Sequence, residues 1–356
     1  MDYQIPKIVK KIGRPAKNTI CGIKNLTLRA TGESLKPQQL WFEVTDRCNC
    51  RCKFCNIWRS KPTNNVLNLE EIEKTLSDDL FKDLKYIMLS GGEPLLRNDL
   101  EEIIIRIHKI LPKAPIMFGT NCSLPERTIS VVKSAIKNNI NIGVGVSLEG
   151  IGEKHDSVRG MRGLFEKVDW LLHELVALRK KAGDKLSIGV GFVLSDLTLP
   201  ALEEVKTYTQ ELSVSLHVQW YNEASYYDNI GEHLLSNTGA IIEAVRSLPP
   251  SLIHEMGIKL LSGKSIKFPC FAMYTFCLLK CNGDIVPCFD FWDVKVGNVR
   301  ESPPSLIWHS PEAKKARRKV KNCQGCLNAC GVGWSFGASF YPLLLFHLKR
   351  KLRLTK

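Results

Sequence analysis

Cys48, Cys52 and Cys55 stand in a C-x3-C-x2-C spacing. Thiolates are soft ligands, and three on one tight loop can hold three irons of a cubane cluster while the fourth iron is left without a protein ligand. An open iron is a place for chemistry. Phe54, directly before the third cysteine, can pack over such a cluster and keep water away. The competing reading is a structural zinc loop. Zinc takes four N or S ligands in a closed site, and the first histidine of the chain is the distant His108.

A second cysteine set lies toward the C-terminus. Cys270 is followed by Gly283-x4-Cys288 and then by Cys323-x2-Cys326-x3-Cys330. A hairpin and a later C-x2-C loop can bring four such thiolates together as a cluster site. Because C-x2-C knuckles are also common around zinc, a zinc-ribbon-like site is the alternative here.

These loops need a scaffold. From Leu40 to about Tyr221, β-branched runs alternate with helical patterns, which predicts βα units around a parallel sheet. Strands are expected at 40–45, 85–90, 115–120, 141–148, 186–194 and 215–220, enough for an open partial barrel. A helix opens at Leu69 with Asn68 as its N-cap, and others cover about 98–110, 125–138, 162–182 and 199–212. In (β/α) barrels the active residues gather at the C-terminal strand ends. Those ends carry Gly91, Gly92 and Glu93, then Asn121, then Ser147 and Glu149, with Arg159 a little beyond. Small residues in the fifth strand, Gly189 and Gly191, leave room for a flat ring, although strand glycines also mark simple bends. Gln219, Trp220 and Tyr221 end the sixth strand, where they line a cavity or, for Trp220, pack in the core.

The division that follows is a basic arm over 1–39, a core over 40–225, a helical connection without an obvious site over 226–268, a cysteine-rich domain over 269–335 and a tail over 336–356. That tail is apolar, then basic. It suits either a helix docked on the core or contact with an anionic membrane.

The three-cysteine loop with its aromatic, the Ser90-Gly91-Gly92-Glu93-Pro94 turn and the His155-Asp156-x2-Arg159-Gly160 segment together resemble the radical S-adenosylmethionine (SAM) family. The resemblance runs from residue 40 to about 330. It implies an α/β fold, a (β/α)6 partial TIM barrel with a small cysteine-rich SPASM/twitch-like domain. It also implies that Cys48, Cys52 and Cys55 carry a [4Fe-4S] cluster whose open iron chelates SAM, passes it one electron and releases a 5'-deoxyadenosyl radical. In that family Gly91, Gly92 and Glu93 would engage the SAM amino group, Arg159 its carboxylate, and Asn121, Ser147 and Glu149 the rest of the cofactor. Cys122 stands where relatives have glycine, and Glu149 where they often have Asp. The C-terminal pattern is shorter than a full SPASM set, which implies one auxiliary [4Fe-4S] cluster held by four of Cys270, Cys288, Cys323, Cys326 and Cys330, with Cys277 an outside candidate. Cys21, Cys50, Cys122 and Cys281 are then packed or spectator thiols.

Composition sets the remaining bounds. The chain has 356 residues and a net charge of +14, from 50 basic and 36 acidic side chains, which favours acidic partners without choosing among them. The basic residues are scattered rather than interleaved with aromatics, which argues against nucleic acid. Thirteen cysteines without a secretory apolar stretch point to a reducing, cytoplasmic compartment. The expected activity is hydrogen abstraction from a peptide or protein side chain, with a small carbohydrate, lipid or cofactor precursor as the other substrate class. A ferredoxin or flavodoxin would supply electrons. A non-catalytic zinc or iron–sulfur protein is the reading from another class.

Overall fold

Alternation along each strand decides which face meets the helices. Leu40, Phe42 and Val44, then Ile87 and Leu89, Ile116 and Phe118, Val144 and Val146, and Val190 and Phe192 are all buried. They join Ile72, Ile103, Ile107, Val132, Leu171 and Val205 from the helices in one apolar cluster. The other face carries Met88, Ser90, Met117, Gly119, Gly145, Ser147, Gly191 and Gln219, all half-buried. Small and polar side chains there leave the inside of the barrel open for a site.

The structure, a computed structural model, describes residues 27–264, 270–323, 326–328 and Ser335. Strand β1 is Gln39–Thr45, and β2 to β6 are Tyr86–Gly91, Ile116–Thr120, Ile142–Ser147, Leu186–Leu194 and Ser215–Trp220. Between them run helices α1 (Leu69–Leu76), α2 (Leu100–Ile110), α3 (Pro125–Lys137), α4 (Glu153–Arg159), α5 (Leu164–Ala182) and α6 (Leu202–Glu211). Each strand pairs in parallel with the next. This is the six-stranded partial barrel expected from the sequence. Asn68 caps α1 in a capping box with Glu71, satisfying donors that the first helical turn leaves free.

After β6 come α7 (Thr238–Arg246) and α8 (Leu252–Leu261). Trp220 belongs to this packing and not to a cavity. Its indole N–H donates to the Ile253 carbonyl at 3.2 Å, and a methyl group on Gly257 would lie 2.0 Å from its ring.

Strands β7 (Phe276–Leu279), β8 (Asp284–Val286) and β9 (Gly297–Asn298) complete the sheet, before α9 (Pro304–His309) and α10 (Pro311–Lys321). The sheet order is β6-β5-β4-β3-β2-β1-β7-β8-β9. The cysteine-rich region is therefore joined to the barrel, with β7 parallel to β1 along its otherwise free edge. Its aromatics fill the barrel beside β1: Phe289 meets Trp41 edge-on at 4.9 Å, and Tyr226 meets Trp292 at 4.5 Å. Residues 1–26, most of the basic arm, and the tail at 336–356 lie outside the described residues. Among the described residues no helix is long and apolar enough to cross a membrane.

The turn between β7 and β8 also meets the barrel through Glu43, whose carboxylate accepts the Cys281 N–H at 3.2 Å. Burial, only partly offset by that bond, pushes Glu43 from 4.5 up to about 7. The folded chain thus binds this proton more tightly than the unfolded chain, so the stability Glu43 contributes is complete below its unfolded pKa and is lost as pH rises through 7. Glu43→Gln should match the parent near pH 4 and exceed it at pH 8 by on the order of 3 kcal/mol, read from urea midpoints at the two pH values.

Candidate cluster and cofactor site

The Cys48–Cys55 loop has almost no hydrogen bonding of its own, so its backbone is satisfied by neighbours. The turn after β2 holds its start: Gly92 N–H donates to the Thr45 carbonyl at 2.9 Å, and Glu93 N–H to Arg47 at 2.7 Å. A Cβ on Gly92 would fall 2.1 Å from the Arg47 carbonyl oxygen. Glycine is needed here so that two backbones can touch. The end of α4 holds the middle, through Arg51 N–H to the Arg159 carbonyl (3.0 Å) and Lys53 N–H to Val158 (2.9 Å). Gly160 has φ +65°, and a Cβ there would lie 2.4 Å from the Arg51 carbonyl. The stretch after β6 holds the last part: Asn229 Nδ2 donates to the Phe54 carbonyl at 3.0 Å, and Asn56 N–H to Tyr227 at 2.8 Å.

Around the thiols the electrostatics are graded. Arg159 is buried, and its fork is taken by Glu149: Nε to Oε2 at 2.6 Å and Nη2 to Oε1 at 2.8 Å. Its remaining Nη1 lies 3.6 Å from Cys52 Sγ, with the guanidinium 5.3 Å above the Phe54 ring. Donation from the Cys50 thiol, working against burial and helped by Arg159, draws Cys52 down to about 6. Burial pushes Cys55 up to about 12 and Cys48 up as well. Cys50, read from the sequence as a spectator, is thus a fully buried partner of Cys52.

The fold adds a partnership that spacing does not reveal. Arg159 pairs bidentately with Glu149, because the β4–α4 turn places both side chains in the same buried space. Glu149 is 1% exposed, and both its oxygens accept from Arg159. His155 completes the knot: its Nδ1 accepts the Glu149 N–H at 3.0 Å, and burial holds the ring neutral, with a pKa of about 3.

Glu93 is 1% exposed and accepts N–H bonds from Asn121 (2.5 Å) and Leu95 (3.1 Å). Burial raises it to about 7. Asn121 Nδ2 sits 3.9 Å from Cys48 Sγ, so Asn121 joins the glutamate to the cysteine loop. Cys122, in place of a glycine, takes φ 65° and is fully buried. Beside this, Gly119, Gly145 and Gly191 form a bare floor, where an added methyl would meet nothing closer than 3.5, 3.7 and 3.9 Å respectively. Ser147 pairs with Gly191 at its edge. Gly189, by contrast, lies under the His217 ring, 2.9 Å from a would-be Cβ.

Among the described residues, no group of three or more His, Cys, Asp or Glu converges so as to hold one metal ion. An all-thiol donor set with N–H groups of Arg159 and Asn121 near two sulfurs fits a cluster, and the bare glycine floor fits a flat nucleoside beside it.

In the C-terminal set, burial raises the thiols of Cys270, Cys288 and Cys326, and Asp290 raises Cys288 and Cys326 further. Cys323 and Cys326 line one cavity with Asp290. Cys330 and Cys21 lie outside the described residues. Cys277 and Cys281 are packed thiols, 0% and 2% exposed.

A cavity of about 580 Å³ opens between the end of β6 and Cys323 and Cys326, lined also by Tyr221, Asn222, Glu223, His233 and Asp290. The residues after Tyr221 read, from their pattern alone, as a connection without an obvious site. Yet Asn222 donates to Asp290 at 3.3 Å and accepts the Leu327 N–H at 3.2 Å, while Asn229 and Asn56 tie the same stretch to the first cysteine loop. Only amide side chains at tight turns hinted at it.

Comparison with known proteins agrees with this arrangement. The Radical SAM superfamily model matches residues 42–196, and the SPASM model, an iron–sulfur cluster-binding domain, matches 270–328. The chain is 39% identical over 114 residues to GTP 3',8-cyclase of Pelotomaculum thermopropionicum, covering 31% of this chain and 34% of that protein. It thus spans about a third of that cyclase's length. It is 23% identical over 337 residues to pre-heme d1 synthase of Dinoroseobacter shibae, covering 83% and 79% of the two chains. Among solved structures, Streptococcus suis SuiB bound to its precursor peptide SuiA superposes with a TM-score of 0.63 at 18% identity, over 91% of this chain and 79% of that one.

The Arg159–Glu149 pair yields a direct test. Arg159→Gln leaves a buried carboxylate without its partner and should cost about 3–5 kcal/mol of stability. Adding Glu149→Gln should restore a large part of that loss, measured by chemical denaturation of the single and double variants.

Proposed function

We propose that this chain, which carries a radical SAM domain followed by a SPASM domain, is a radical SAM enzyme that abstracts hydrogen from a side chain of a peptide or protein. The two domains imply a SAM-binding [4Fe-4S] cluster and an auxiliary iron–sulfur cluster. When bound, the first cluster and SAM supply reductive cleavage of the sulfonium and hydrogen-atom abstraction.

The protein's own contribution is positioning and exclusion of water. Cys48, Cys52 and Cys55 would hold the first cluster. Arg159, fixed by Glu149, would keep a positive N–H against Cys52, and Asn121 another donor against Cys48. The Gly119–Gly145–Gly191 floor with Ser147 would seat the nucleoside, and Glu93 its amino group. Phe54, packed under Arg159, closes the apolar side. Cys270, Cys288, Cys323 and Cys326 would hold the auxiliary cluster across the cavity from the barrel mouth. We assign the core to 40–225 and the auxiliary domain to 269–335, with 226–236 belonging to the site rather than to a plain connection. An acidic ferredoxin or flavodoxin would supply the electron, in the cytoplasm.

The observation that carries the peptide reading is the lining of the cavity between β6 and the C-terminal cysteines, which among the described residues includes no lysine or arginine. A triphosphate or a polycarboxylate brought there would lose water without gaining a cation. SuiB, which covers most of this chain in fold, binds a precursor peptide, and that supports the same reading. The small-molecule alternative draws on the cyclase and the haem-type synthase, the latter matched along most of its length.

Anaerobically reconstituted protein with SAM and a strong reductant should form 5'-deoxyadenosine. Cys52→Ala should lower that rate by at least about a thousandfold, the scale of losing an essential catalytic group, whereas Cys326→Ala should keep cleavage and lose product formation. Equal cleavage by parent and Cys52→Ala, with chromatographic quantification of the nucleoside, would sink the assignment.

A further inference from the structure

Net charge and local charge disagree in this protein. The chain as a whole is +14, yet two of its cavities are acidic. In the cavity at the end of β6, Glu223 is paired with the His233 ring at 2.8 Å, and Asp290, raised by burial, accepts from Asn222 at 3.3 Å. A second cavity, of about 510 Å³, lies between the stretch after the first cysteine loop and the β7–β8 turn. It carries Asp46, Asp228 and Asp293 against Lys280 alone, whose ammonium stands 5.3 Å from the Trp292 ring centre. Glu43 lines it too, but burial brings that carboxyl close to neutral.

One stretch of chain separates the two cavities. Residues 221–236 supply Tyr221 and Asn222 to the first, and Tyr226, Asp228 and Ile230 to the second. Two oxygens along these walls lack any hydrogen-bond partner: the hydroxyl of Tyr221, a residue only 3% exposed, and Asp46 Oδ1. Ile230 is 72% exposed and offers an apolar contact beside them. The cavities are far larger than an ion, and no three ligating groups among the described residues converge on one. The chemistry calls for an extended organic cation, with donors for the free oxygens and an aromatic face for its charge.

Resting on the peptide reading above, we infer that the substrate carries lysine or arginine side chains near the modified residue, and that residues 221–236 with Asp46, Asp290 and Asp293 form the acidic surface that binds them. An ammonium or guanidinium entering either cavity meets carboxylates of opposite sign. A phosphorylated or acidic segment meets uncompensated repulsion there, which sets specificity as much as affinity.

Calorimetric titration of the reconstituted holoenzyme at low salt tests this with three capped pentapeptides, Gly-Lys-Gly-Lys-Gly and its glutamine and glutamate counterparts. The lysine peptide should bind at least tenfold tighter than the other two, lose that advantage as salt rises, and bind more weakly to Asp46→Asn/Asp293→Asn and to Tyr221→Phe. Non-specific attraction to a protein of +14 would favour the glutamate peptide, so the expected preference runs against the background. Equal or tighter binding of the glutamate or glutamine peptide overturns the inference. Spermidine binding as tightly as the lysine peptide overturns the peptide part of it. A preparation that cleaves SAM but shows no charge preference removes this inference and spares the enzyme reading. One that forms no 5'-deoxyadenosine removes the reading, and this inference with it.

Discussion

A loop that presents three thiols cannot also satisfy its own backbone, and the rest of this structure is arranged around that constraint. Unpaired peptide groups next to a water-poor site are costly. Here they are met from three directions: the glycine turn after β2, the last turn of α4 and the asparagine-rich stretch after β6. Each of these also carries something the site needs, namely Glu93, Arg159 and the cavity wall at Tyr221. Holding the loop and building the site are one task. A change at Gly92 or Gly160 would therefore be felt at the cysteines, although neither residue has a side chain to offer.

Much of the frame was legible in the sequence because it rests on local patterning. All six barrel strands fall within a residue or so of their expected bounds, since alternating apolar residues must face the helices whatever the site does. Asn68 was readable for the same reason, a cap being a matter of a few neighbouring residues. The thiols of the first loop were readable from spacing alone. What resisted was partnership at a distance. Gly91 and Gly92 stood at a strand end where bare backbone allows close approach, and in the fold that approach is made to the Thr45 and Arg47 carbonyls of the chain itself, partners that their own residues do not name. Arg159 read as a hand for a carboxylate, and a carboxylate does fill it, but one belonging to the chain.

The C-terminal region shows the same limit from another side. Its short strands and glycine turn were expected from spacing, yet nothing in the residues of β7 says that it will lie parallel to β1. That pairing covers the edge of the partial barrel, which would otherwise expose unpaired peptide groups to other chains. It also brings Phe289 and Trp292 against Trp41 and Tyr226. The two cysteine sets are in this way fixed to one sheet, where their separation is set by strand geometry and not by a flexible linker. A wall between them then had to come from the chain that leaves β6. The stretch from 222 to 236 could not be recognised beforehand, because it acts through Asn222 and Asn229, whose partners lie 105 residues later and 175 residues earlier in the chain.

Composition misled in a more instructive way. A net charge of +14 suggests a protein that attracts anions, and over its outer surface that expectation is sound. Part of that charge sits on exposed helical positions such as Lys315 and Arg318 of α10, where salt screens it. Screening is weaker inside a concave wall, where a few carboxylates govern the local field regardless of the total. The sum of charges therefore describes the protein's solubility and its long-range encounters. On the inference drawn above, entry to the site is decided by a handful of side chains with the opposite sign, and those are placed by the fold.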